Sequence, residues 1–152
     1  MFSGRKLTSR QEAVAVLRPS RRLGRRHILH SMTEVSDALL ALTDAMERQG
    51  FGHKDIFAVR LCVEEALVNS IDHGHHRDSS KRVRMRFLVT PHAVLVKITD
   101  QGDGFDPRRV PDPREVECLE KASGRGLLLM NSFMTGVWFN RRGNSVTLFK
   151  AT

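Results

Sequence analysis

With 152 residues, 40% of them apolar and 28% charged, the chain has the size and composition of one soluble globular domain, which excludes wholesale disorder and a fibrous design. No run approaches the roughly 18 consecutive apolar residues of a membrane-spanning helix, and Met1-Phe2-Ser3-Gly4-Arg5-Lys6 leads into no apolar signal core, so a cytoplasmic protein without membrane contact is expected. The net charge of +8 is unevenly placed: residues 1–26 hold eight basic residues against one acid, Glu12, which leaves a nearly neutral body and sets off a basic N-terminal arm from a domain over 27–152. That arm reads as a solvated segment, and contact with nucleic acid is not expected. Cys62 and Cys118 lie far apart without C-x-x-C spacing and read as free structural thiols.

After the arm, Ile28-Leu29 fit a first strand. Val35, Leu39, Leu42 and Met46 recur at helical spacing from Ser31, and Gly50 supplies a stop. Ile56, Val59, Val63, Leu67 and Ile71 predict a second helix from about His53 to His73, ended by Gly74. Alternation through Val83, Met85 and Phe87, then the run Ala93–Ile98 beyond Thr90-Pro91-His92, predicts two antiparallel strands. Residues 101–123, with Gly102, Gly104, Pro107, Pro111 and Pro113, read as a lid, because so long a connection in a small domain is usually functional. A helix starting at Gly126 and a hairpin of Val137–Phe139 with Val146–Phe149 across Arg142-Gly143-Asn144 complete an α+β sandwich, one helical layer on one face of the sheet.

Three short patterns carry chemistry. Glu65 and Asn69, four apart on a helix, stack on one face, either as an ordinary polar pair on a solvated helix face or as a site in which the carboxylate takes a proton and the amide oxygen, a neutral hard ligand, suits magnesium. Asp100-Gln101-Gly102-Asp103-Gly104 places a carboxylate at a strand end above a glycine turn, either to accept a hydrogen bond from the amino group of a base or as a plain Asp-Gly turn. Ser123-Gly124-Arg125-Gly126 ahead of an apolar helix offers unpaired amides and the positive end of a helix dipole to phosphates, with Arg125 facing either phosphate or solvent. The dinucleotide fingerprint lacks its third glycine and no G-x-x-x-x-G-K-[ST] occurs, so Rossmann and P-loop sites are excluded. His73, His75 and His76 beside Asp72 read as a hydrated helix end rather than a metal site.

Taken in order and spacing, Glu65-x-x-x-Asn69, His73-Gly74, Asp100-x-Gly102-x-Gly104 and Gly124-x-Gly126 resemble the ATP-binding motifs of the GHKL superfamily, which includes gyrase, mismatch-repair ATPases and histidine kinases. Within it, Glu65-Ala66-Leu67-Val68-Asn69 and Gly124–Met130 look most like the anti-sigma-factor serine kinases of the RsbW and SpoIIAB type, over about residues 28–150. The resemblance implies a Bergerat-type, histidine-kinase-like ATP-binding fold with a mixed sheet covered on one face by helices. It also implies that Asn69 ligates Mg²⁺, Asp100 reads adenine, and Gly102, Gly104, Gly124, Arg125 and Gly126 shape the pocket and phosphate loop. Glu65 is then the catalytic base toward a serine of an anti-anti-sigma (STAS-like) protein, with ATP as phosphoryl donor. A sigma factor and a second copy of the chain are further implied partners. The other reading, from a different class, is a nucleotide-dependent module that sequesters a sigma factor or another regulator without phosphorylating it.

Overall fold

Alternating apolar and polar side chains from Val83 to Phe87 and the apolar run Ala93–Ile98 fold as one uninterrupted hairpin. Its strands β2 (Val83–Thr90) and β3 (Ala93–Thr99) pair from Arg84 opposite Thr99 to Thr90 opposite Ala93. The computed structural model describes residues 24–74, 76, 78–106 and 122–152, with residues 122–124 described in backbone only. The expectations for the arm through residue 23, for His75, for Cys118 and for the lid residues 107–121 lie outside those described.

Strand β1 (Arg26–Leu29) starts two residues before Ile28 and pairs with β2, Arg26 lying opposite Arg86. The terminal hairpin is β4 (Gly136–Phe139) and β5 (Ser145–Ala151), and the sheet order is β1-β2-β3-β5-β4. All four pairings are antiparallel, so the expected mixed sheet is an antiparallel one over these residues. The reason is topological. Strands β3 and β4 run the same way, as each opposes β5, and the connection between them has the form of a parallel crossover; β5 then inserts between the two and takes both sets of ladder bonds.

Glu34 organises the entry to the first helix: its carboxylate accepts the backbone N–H groups of His30 and Ser31 at 2.5 and 3.1 Å, with Ser31 in an extended conformation. A short 3₁₀ turn, Met32–Glu34, leads into α1 (Val35–Arg48). The helix ends where Gly50 adopts a positive φ of 80° and Phe51 donates back to the Met46 carbonyl at 3.2 Å. The second helix, α2 (His53–Asn69), stops short of the expected end at His73; Ser70–Gly74 continue as a wider π-helical turn.

The third helix, α3 (Ala122–Phe133), starts a turn earlier than Gly126, so Ser123–Gly126 belong to the helix instead of preceding it. Glycines lower helix propensity by about 1 kcal/mol each, yet burial of the following apolar turn, with Met130 only 3% exposed, overrides that local preference.

The inward positions of the sheet, Met85, Phe87, Val96, Ile98 and Leu148 among them, join Leu42, Met46, Val59, Val63 and Leu67 of α1 and α2 in one buried cluster. Fully burying each such side chain contributes about 1.5–3 kcal/mol. A smaller cluster of Ala93, Leu95 and Phe149 with Leu88 and Trp138 occupies the opposite face. The architecture is the expected two-layer α+β sandwich, and its one helical layer holds α2 across the central strands.

Candidate nucleotide site

Helical spacing brings Glu65 and Asn69 together as the sequence predicts: the Asn69 amide Nδ2 donates to Glu65 Oε1 at 3.2 Å, both side chains being half-buried. With its nitrogen engaged by the carboxylate, the amide has its oxygen left to ligate a cation. Helix α3 closes on this pair. A Cβ built on Gly126 would stand 2.3 Å from Glu65 Oε1 and 2.9 Å from its Cδ and Cγ, so the carboxylate lies directly on the α3 backbone where any side chain would displace it.

This close approach redefines the glycine pair. The first four N–H groups of a helix lack intrahelical partners, and in a helix starting at Ala122 those amides come before Gly126. Gly124 therefore lies among the open amides of the first turn, whereas Gly126 contributes its missing side chain. Arg125 is exposed between them. Below the pair, Cys62 of α2 directs its thiol toward the Leu129 carbonyl of α3 at 3.9 Å; burial pushes that thiol up to about 11, which makes it a free but unreactive packing group.

Asp100 follows the last residue of β3 and is 9% exposed. Its Oδ1 accepts the Gly102 N–H at 2.7 Å, and its own N–H donates to the Asn144 carbonyl at 2.9 Å. Gly74, delivered by the π turn, packs on the carboxylate: a Cβ there would meet Asp100 atoms at 2.7 to 2.9 Å, and one on Gly102 would stand 2.0 Å from the Gly74 carbonyl oxygen. The two glycines thus interlock around Asp100. Gly104 packs differently, against the Arg142 carbonyl oxygen in the β4–β5 turn, where its Cβ would stand at 2.0 Å. Asn69 and Gly74 are five residues apart, roughly 7 Å along a helical axis. The Glu65–Asn69 pair and the Asp100 carboxylate accordingly occupy two stations on α2 and its extension.

Among the described residues no three His, Cys, Asp or Glu side chains gather as a metal site. The sequence offers Gly74 as a helix stop and beside His73 in the ATP-binding motif, and Asn144 as a residue of the hairpin turn; neither signal points to contact with Asp100, which only the fold brings about. Among the described residues no helix is long and apolar enough to cross a membrane.

The model of the histidine kinase-like ATPase domain family matches residues 30–150. Serine/threonine-protein kinase BtrW of Bordetella bronchiseptica is 30% identical over 120 residues, 76% of this chain and 84% of that protein. Serine-protein kinase RsbW of Oceanobacillus iheyensis is 25% identical over 114 residues, covering 71% of this chain and 72% of the relative. Its counterpart in Bacillus subtilis is 29% identical over 118 residues, 73% and 74% of the two chains.

Proposed function

Because this chain belongs to the family of histidine kinase-like ATPase domains, we propose that it binds Mg·ATP and phosphorylates a serine of an anti-anti-sigma partner in the cytoplasm. The observation that carries the reading is the approach of α3 to Glu65 across Gly126. It sets a carboxylate, an amide oxygen and the amide-bearing first turn of a helix at one place.

The roles follow from chemistry. Asp100, held by Gly102 and Gly74, accepts a hydrogen bond from the adenine amino group, which guanine lacks at that position. Open amides at the start of α3, Gly124 among them, receive phosphate oxygens at the positive end of the helix dipole, and Arg125 adds positive charge nearby. The Asn69 amide oxygen suits magnesium, which keeps several waters and takes few protein ligands. Bound magnesium would supply charge neutralisation on the phosphate oxygens. Glu65 orients the partner's serine hydroxyl and takes its proton as the serine oxygen bonds to the γ-phosphorus and the bond to the β-phosphate oxygen breaks, releasing ADP. Catalysis of this type rests on positioning and electrostatics.

The test is incubation of purified protein with γ-labelled ATP, magnesium and candidate serine-bearing partners. Label on a partner serine is the expected result. Tight binding of nucleotide and partner with no label transferred would replace the kinase by a sequestering module.

A further inference from the structure

We propose that the β4–β5 turn, Asn140–Asn144, is a clamp that positions Asp100, with Asn144 as its positioning residue; the inference rests on Asp100 reading a nucleotide base. Asn144 engages Asp100 twice. Its backbone carbonyl accepts the Asp100 N–H at 2.9 Å, and its Nδ2 donates to the Asp100 carbonyl at 3.1 Å. Both backbone groups of the base-reading residue are thereby fixed by one residue from another strand connection.

Asn144 is itself oriented by the far side of the turn. Asn140 Nδ2 donates to Asn144 Oδ1 at 2.8 Å, which fixes the amide with its nitrogen toward Asp100, and Asn140 Oδ1 accepts the N–H groups of Asn144 and Ser145 at 3.1 Å each. This exceeds what closing a hairpin needs. Gly143, at φ +75°, completes the turn in the left-handed region; a Cβ there would be 1.9 Å from the Phe105 carbonyl oxygen. The turn thus lies flush along the segment from Asp100 to Phe105, and Phe105 is further held by an edge-on contact with Phe139 at 5.1 Å. The Asp100 carboxylate is held by the Gly102 N–H and packed by Gly74, and this turn fixes the backbone that carries it beyond the last pair of the β3–β5 ladder.

Asn144→Ala removes the side-chain donor to Asp100 and the acceptor for Asn140 while keeping the backbone bond. Without nucleotide, amide hydrogen exchange at Asp100 and Gly102 should accelerate about three- to tenfold, the worth of one hydrogen bond, with core amides such as Val96 unchanged. ATP affinity should fall by a similar factor and GTP affinity should not, so the ratio of the two declines; a merely structural turn would leave that ratio alone. Asn140→Ala, which removes the group that orients the Asn144 amide together with the acceptor for the Asn144 and Ser145 N–H groups, should shift both readouts in the same direction. Arg141→Ala, at an exposed turn position, should shift neither. Unchanged exchange at Asp100 and Gly102 in both asparagine variants overturns the clamp. If the wild-type protein bound neither nucleotide, the ATP reading would fall, while the exchange rates would still decide for or against the clamp.

Discussion

Gly126→Ala separates positioning from stability, because the two effects have opposite signs at that residue. Gly126 is buried within α3 without a positive φ, so alanine suits its backbone and should add about 0.5–1 kcal/mol of helix stability. Its new methyl group, however, would stand 2.3 Å from Glu65 Oε1, over 1 Å inside the 3.4 Å at which ordinary contact begins. The atoms in the way are the end of a side chain, so Glu65 swings aside and the helices keep their places. A displacement of about 1 Å in a reacting group costs on the order of 10²-fold in rate. The expectation is a protein that melts within a few degrees of wild type yet transfers phosphate on the order of 10²-fold more slowly. Thermal melts with single-turnover transfer from Mg·ATP check both parts. Transfer at the wild-type rate would refute the argument that Gly126 exists to admit the carboxylate.

Asp100→Asn should weaken ATP binding by about ten- to a hundredfold, the range for a hydrogen bond to a charged group, without unfolding the protein; calorimetry reads it, and unchanged affinity removes the base-reading role. Asn69→Ala should abolish most of the magnesium enhancement of ATP binding, checked by titrating nucleotide with magnesium and with chelator. Backbone hydrogen bonds, that from His30 foremost, hold the Glu34 carboxyl below its ordinary value of 4.5. A depressed carboxyl stabilises the fold fully above that ordinary value and loses the contribution as pH falls through the lower folded one. Glu34→Gln should flatten that part of the stability profile, measured as urea midpoints from neutral pH down through and below 4.5.

Much of this arrangement was legible because it depends on local periodicity. The stripe from Ile56 to Ile71 located α2 and put Glu65 and Asn69 on one face, and the alternation after Val83 located the central hairpin. The Asp100 motif fell at a strand end for the same reason. What was missed depends on tertiary contact. Two glycines within five residues argue against a helix, and only burial of the following apolar turn, with Gly126 packed on Glu65, accounts for an α3 that starts at Ala122. The π turn at Ser70–Gly74 leaves no periodic trace, since its role is to bring Gly74 to Asp100. The insertion of β5 between β3 and β4 is likewise a pairing choice made between distant segments, invisible to reasoning about each strand alone.

The central claim is that Glu65 acts as the base in phosphoryl transfer, and Glu65→Gln tests it most directly. The substitution keeps length, shape and an oxygen that can accept the Asn69 amide hydrogen, while removing the anionic proton acceptor. General-base assistance is typically worth ~10²–10⁴-fold, so single-turnover transfer from Mg·ATP to the partner serine should fall by that factor, with nucleotide and partner affinities close to wild type. Transfer by Glu65→Gln at the wild-type rate would contradict the account.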